Sequence, residues 1–79
     1  QRGTVTIDYI NSDTNVTKSY PNKCYGFSIV NDGSNDITAV INGLTITVKA
    51  NESFDSLFKP FTSIAINATN TPYRAVVKE

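Results

Sequence analysis

Histidine, tryptophan and methionine are missing from this chain of 79 residues, and cysteine occurs once, at Cys24. One cysteine excludes an internal disulfide. The lack of histidine excludes a zinc site of the usual Cys/His kind and removes the commonest general base. The four glycines do not cluster, so no loop is built to cradle a phosphate. No apolar run approaches the roughly 20 residues that a membrane helix needs. The seven cations, Arg2, Lys18, Lys23, Lys49, Lys59, Arg74 and Lys78, are scattered and balanced by seven anions. That spread argues against nucleic acid or an anionic membrane as the main partner. No Ser-x-x-Lys or Gly-x-Ser-x-Gly pattern occurs, and the acids sit mostly in turns. The expectation is a non-enzymatic protein without cofactor, metal or catalytic residues.

At this length the chain is one domain, residues 1–79. Such a domain buries only about 60% of its unfolded surface. Disulfide and zinc being excluded, association with another chain is the remaining reinforcement, and a homo-oligomer is expected. The chain opens on Gln1 rather than Met, which reads as a chain trimmed or cut from something larger.

What the sequence holds instead is short apolar alternation between turn signals. In residues 4–10, Val5, Ile7 and Tyr9 alternate with Thr4, Thr6 and Asp8, the pattern of a half-buried strand. Residues 16–20 read as a short second strand ended by Pro21. Residues 24–30 read as a third, with Tyr25, Phe27 and Ile29 on one face. Gly26 inside that strand signals a bulge or close packing.

Asn42-Gly43 is the preferred dipeptide of a two-residue type I′ hairpin, because both central residues need positive φ. Its register would set 41 opposite 44, 39 opposite 46 and 37 opposite 48. Ile37, Ala39, Ile41, Leu44, Ile46 and Val48 then share one face. Residues 62–69 read as a strand with Ile64, Ile66 and Ala68 inward, and Tyr73 to Lys78 as the last strand. Six or seven short strands without a long helix point to an all-β fold. The expected form is a small antiparallel β-sandwich of immunoglobulin-like size, with a small partly open barrel as the alternative.

Residues 51–61 carry three of the four phenylalanines. Phe54, Leu57 and Phe58 stand at i, i+3 and i+4, and Pro60 stops any helix. The expectation is a single helical turn whose rings, with Phe61, plug the core, so Phe58 is expected in the core. An exposed hot spot for a partner is the competing reading. The segment Asp32-Gly33-Ser34-Asn35-Asp36 offers oxygens to calcium, but it lacks EF-hand spacing and reads better as a hydrogen-bonded turn. Cys24 reads as a small buried hydrophobe. Tyr9, Tyr20, Tyr25 and Tyr73 would suit sugar stacking if enough of them pointed outward. The triplets at Asn15, Asn51 and Asn67 match the glycosylation pattern, as an Asn- and Thr-rich composition does by chance.

From residue 31 onward the order is a polar turn "NDGSND", a strand "ITAVING", a strand "LTITVKANESFD", then "LFKPFTSIAINAT" and "YRAVVKE". This resembles small β-domains in structural proteins of tailed phages of Gram-positive hosts. There an Asn-Gly hairpin precedes a Phe-x-x-x-Phe-x-Pro-Phe crossover and an alternating strand. The matching residues are Phe54, Phe58, Pro60 and Phe61, within residues 31–79. The resemblance implies a virion part without an active site, in a capsid decoration, head fibre, or tail or baseplate. Its partners would be other virion proteins. The terminal strand, residues 73–77, is the expected open edge, with Tyr73, Arg74 and Lys78 as candidate partner contacts. The alternative is a carbohydrate-binding or adhesion module of a larger extracellular protein.

Overall fold

The computed structural model describes residues 2–79. Six strands form: β1 (Thr6–Ser12), β2 (Val16–Asn31), β3 (Ile37–Ile41), β4 (Leu44–Val48), β5 (Ser53–Asn67) and β6 (Tyr73–Lys78). They make one antiparallel sheet in the order β1-β6-β2-β5-β3-β4. No helix forms among the described residues.

The two long strands explain how one sheet makes a core. A straight strand of 16 residues, the length of β2, would span about 50 Å at about 3.3 Å per residue. The whole molecule measures only 35 × 20 × 18 Å. β2 and β5 must therefore bend, and the ladder between them shows where. Ser19 pairs with Ser63 and Cys24 with Phe61, so β2 takes five steps while β5 takes two. From Cys24 to Gly26 β2 takes two steps, while β5 takes four, from Phe61 to Leu57. These bulges bend both strands. Pro21 and Pro60 lie inside the out-of-register stretches, where a missing amide hydrogen breaks no ladder bond. The expected strand end at Pro21 is thus a bend in one continuous strand.

Bending folds the sheet into two leaves, a small β-sandwich that shares β2 and β5. One leaf holds β1, β6, residues 26–31 of β2 and residues 53–57 of β5. The other holds residues 16–19 of β2, residues 63–67 of β5, β3 and β4. Ile10, Phe27, Ile29, Tyr73, Ala75 and Val77 from the first leaf share one core with Ile37, Ala39, Ile41, Val48, Ile64 and Ile66 from the second. Each large side chain so buried contributes about 1.5–3 kcal/mol. Asn31 Nδ2 donates to the carbonyl of Val48 at 3.0 Å, tying the first leaf directly to β4.

The β3–β4 hairpin has the expected register, with Ile37 opposite Val48, Ala39 opposite Ile46 and Ile41 opposite Leu44. Asn42 and Gly43 have φ of 52° and 75°, as the turn demands. Ile64, Ile66 and Ala68 are buried as expected.

Three expectations need correction. In β1 the buried residue is Ile10, while Ile7 and Tyr9, like Val5 just before the strand, are exposed. The register slips between Thr6 and Asp8, so the bulge at Ile7 breaks the alternation. Asp8, Ile10 and Ser12 then face inward with their partners Val77, Ala75 and Tyr73. Residues 53–61 are extended rather than one helical turn, because pairing with β2 outweighs the local helical spacing. Finally, β6 is no edge: it runs between β1 and β2, and the sheet ends at β1 and β4.

Candidate functional site

The position of β6 decides what its residues can do. Tyr73 has no exposed surface, and its hydroxyl donates to the Thr14 carbonyl at 3.1 Å. It holds the β1–β2 turn to the core and is out of reach of any partner. Arg74 is exposed but already engaged: Nε and Nη2 donate to the two carboxylate oxygens of Asp32 at 2.8 and 2.9 Å. The hydrogen bond from Arg74 holds the Asp32 carboxyl below its ordinary pKa, and the same pairing pushes the guanidinium up. Lys78 lies beside Gly26, where an added Cβ would stand 3.2 Å from the lysine Cβ. The three candidate contacts are therefore dispersed, and only Arg74 and Lys78 keep solvent-facing surface.

The other polar candidates also have structural partners. Asn31 is buried and organises the segment after it. Its Oδ1 accepts from the amide of Gly33 at 2.9 Å, and its Nδ2 also donates to the Asn35 carbonyl at 2.8 Å. The polar segment is thus the hydrogen-bonded turn that its composition suggests. Cys24 is fully buried, and burial pushes its thiol pKa up. The tyrosines do not form a row. Tyr20 is half-buried and donates to Asp8 Oδ2 at 2.8 Å; burial, then Asp8, pushes its phenol pKa up. Tyr25 carries the Arg2 guanidinium over its ring at 5.3 Å. Tyr9 alone stands largely free, at 57% exposure.

What remains open is apolar. The large exposed hydrophobic side chains are Val5, Ile7, Tyr9, Leu44 and Leu57. The first three belong to or lead into β1, an edge strand without Lys or Pro. Lys and Pro are two of the devices that blunt an edge; β1 carries instead the bulge at Ile7 and the inward Asp8, and still leaves these apolar side chains open. Leu44 and Leu57 lie at a second opening. Residues 53–57 pair with β2 on one side, and among the described residues no strand pairs with their other side. Among the described residues β4 likewise has a partner only in β3.

These two free edges, one from each leaf, are joined at both ends. At one end Glu52 N donates to the Lys49 carbonyl at 3.0 Å, and Asn31 N donates to the Glu52 carbonyl at 2.8 Å. At the other, Asn42 Nδ2 donates to the Lys59 carbonyl at 3.0 Å. Beside this clasp opens a cleft of about 510 Å³, lined by Asn42, Leu44, Ser56, Leu57, Phe58 and Lys59.

Comparison with family models, with curated proteins and with solved structures returns no match.

Leu44 is the informative residue. Its hairpin register turns it to the core side, opposite Ile41, yet it is 58% exposed while Ile41 is 1% exposed. Ile46, Phe54 and Phe58 are likewise only partly buried against the core. Phe58 meets Phe54 at 6.3 Å and Phe61 edge-on at 5.9 Å between ring centroids, so the rings run from the opening into the interior. The core is uncovered along this seam. The phenylalanine run was the sequence signal for it. The run is the expected plug at Phe61, which is buried, but at Phe58, expected in the core, it is a partly buried lining.

Proposed function

We propose that this domain is a non-enzymatic structural part of a phage virion that works by docking onto other virion proteins, as a capsid decoration, head fibre or tail part. The observation that carries the docking reading is the placement of the exposed apolar side chains. They cluster at free strand edges, Val5, Ile7 and Tyr9 along β1, and Leu44 and Leu57 at the seam. Free edges are templates for pairing with another chain, and apolar side chains beside them add burial on contact. The virion assignment is supported by the resemblance of residues 31–79 to small phage β-domains.

The carbohydrate-binding alternative has less support. It asks for several outward rings, whereas Tyr73 is buried, Tyr20 and Tyr25 are engaged, and Tyr9 stands alone. Light scattering of the protein, and antibody localisation in purified particles by electron microscopy, test the proposal. The expected result is an oligomer, or a stable complex within the particle, burying on the order of 1,000 Å² or more. A strict monomer that is absent from particles and binds a polysaccharide through Tyr9 overturns it.

A further inference from the structure

The seam between β4 and the first half of β5 has the properties of a position from which a strand is missing. Two strands flank it with unpaired edges, one from each leaf. An unpaired edge presents one backbone donor or acceptor after another, and an extended chain satisfies them best. The floor is apolar, and Leu44 shows that the floor is core surface rather than ordinary surface. A side chain set inward by its register and left 58% exposed has lost the layer that would cover it.

The occupant can be specified further by charge. A second cleft of about 420 Å³ lies on the outer face of the other leaf, over Thr17, Val40, Ser63 and Ala65. Asn42 lines both clefts, so they meet at the hairpin tip. The ionic side chains lining the two are Lys59 in the first and Lys23 in the second, both exposed, and no acid lines either. In a chain of zero net charge, this end of the molecule is locally cationic.

We infer that the seam is a strand-addition site for an extended segment of another protein. That segment is apolar at alternate positions, so that one face reaches Leu44 and Phe58. It carries a carboxylate at the end that meets Lys59. Backbone pairing with the free edges supplies affinity, alternate side chains supply selectivity, and the lysine sets direction. A second copy of this chain fits less well. Its most open edge, β1, brings a single acid, Asp8, which is turned inward to Tyr20 and away from any Lys59 beside it.

This inference rests on the docking reading and refines it. A library of random linear peptides, each about twelve residues long and so long enough to cross a strand, is panned against the immobilised protein. The enriched peptides are then titrated against the wild type and two exposed-site variants, Leu44→Ser and Lys59→Glu. Circular dichroism confirms that both variants are folded. The expected enrichment is for alternating apolar sequences with Asp or Glu near one end. Leu44→Ser should weaken them by about tenfold, the size of a lost interfacial contact. Lys59→Glu should reverse the preferred charge when panning is repeated, a change that general loss of structure does not produce.

No enrichment, or enriched peptides indifferent to both variants, overturns the inference. Self-association that Leu44→Ser abolishes, without peptide enrichment, also overturns it and makes a second copy the occupant. If both variants still bind purified particles as the wild type does, the seam is wrong and docking stands. If the wild type neither binds particles nor self-associates, the docking reading itself is wrong.

Discussion

The two ends of the seam show what closes a small sandwich and what leaves it open. Around Asn31 the leaves are locked by polar groups with complete partners. One buried amide side chain bonds Gly33, Asn35 and Val48, and Thr71, also buried, donates to the Thr69 carbonyl at 2.7 Å. Around Leu44 the leaves are joined by the Asn42–Lys59 bond, and the apolar residues beside it stay partly wet. The same sheet supplies both ends, and apolar side chains are available at both. A satisfied buried amide fixes one geometry, because every alternative strands a polar group. Apolar contact is non-directional and leaves the distance between the edges to whatever can fill it.

The largest effect that should separate the two regions is truncation of an aromatic ring. Phe27 has no exposure, and Phe27→Ala should cost about 3–5 kcal/mol, enough to unfold much of so small a domain. Phe58→Ala, at the partly open seam, should cost only about 1–2 kcal/mol, the burial of part of a ring. Urea midpoints for the two variants measure the contrast directly. Equal losses would mean that the seam is closed in solution.

Asn31→Ala tests the polar lock. It removes three hydrogen bonds and leaves the carbonyl of Val48 facing the vacated site, for a cost of about 2–3 kcal/mol. Amide exchange should speed up at residues 48–53 before it does so at the hairpin tip. Uniform acceleration would show that Asn31 does not act locally.

Gly43→Val tests whether the hairpin tip is held by its turn. Nothing lies within 4 Å of an added Cβ, so the penalty comes from φ of 75° alone. It should be about 1–3 kcal/mol, because a β-branched residue resists positive φ. An unchanged urea midpoint would mean that the turn adopts another type without loss.

The smallest effect should come from Asp32→Asn. The Arg74 hydrogen bond puts the folded-state pKa of Asp32 below its unfolded value. Its stabilisation is therefore complete above the ordinary aspartate value of about 4 and is lost as pH falls through the lower folded value. Because the pair is exposed, the effect is weak and screened by salt. Melting temperatures of wild type and variant should differ slightly at neutral pH and converge in acid. Divergence in acid would contradict the sign.

The sequence by itself determined part of the local structure. Asn42 and Gly43 specify a turn whose geometry few other residues tolerate, and the alternation on either side leaves one register that buries Ile37, Ala39, Ile41 and Val48. The all-β class and the inward face of residues 64–68 follow from the same period of two. Tertiary structure alone decided the rest. The face that β1 buries turns on a bulge at Ile7, and a bulge exists only relative to the partner strand. The continuity of β2 and β5 through Pro21 and Pro60 depends on where those prolines fall in a ladder between residues far apart in the chain. The interior place of β6, and with it the burial of Tyr73, depends on the first strand returning to pair with the last. Turns and alternation are written within ten residues, whereas strand order, bulges and the uncovered face at Leu44 are properties of pairs of segments.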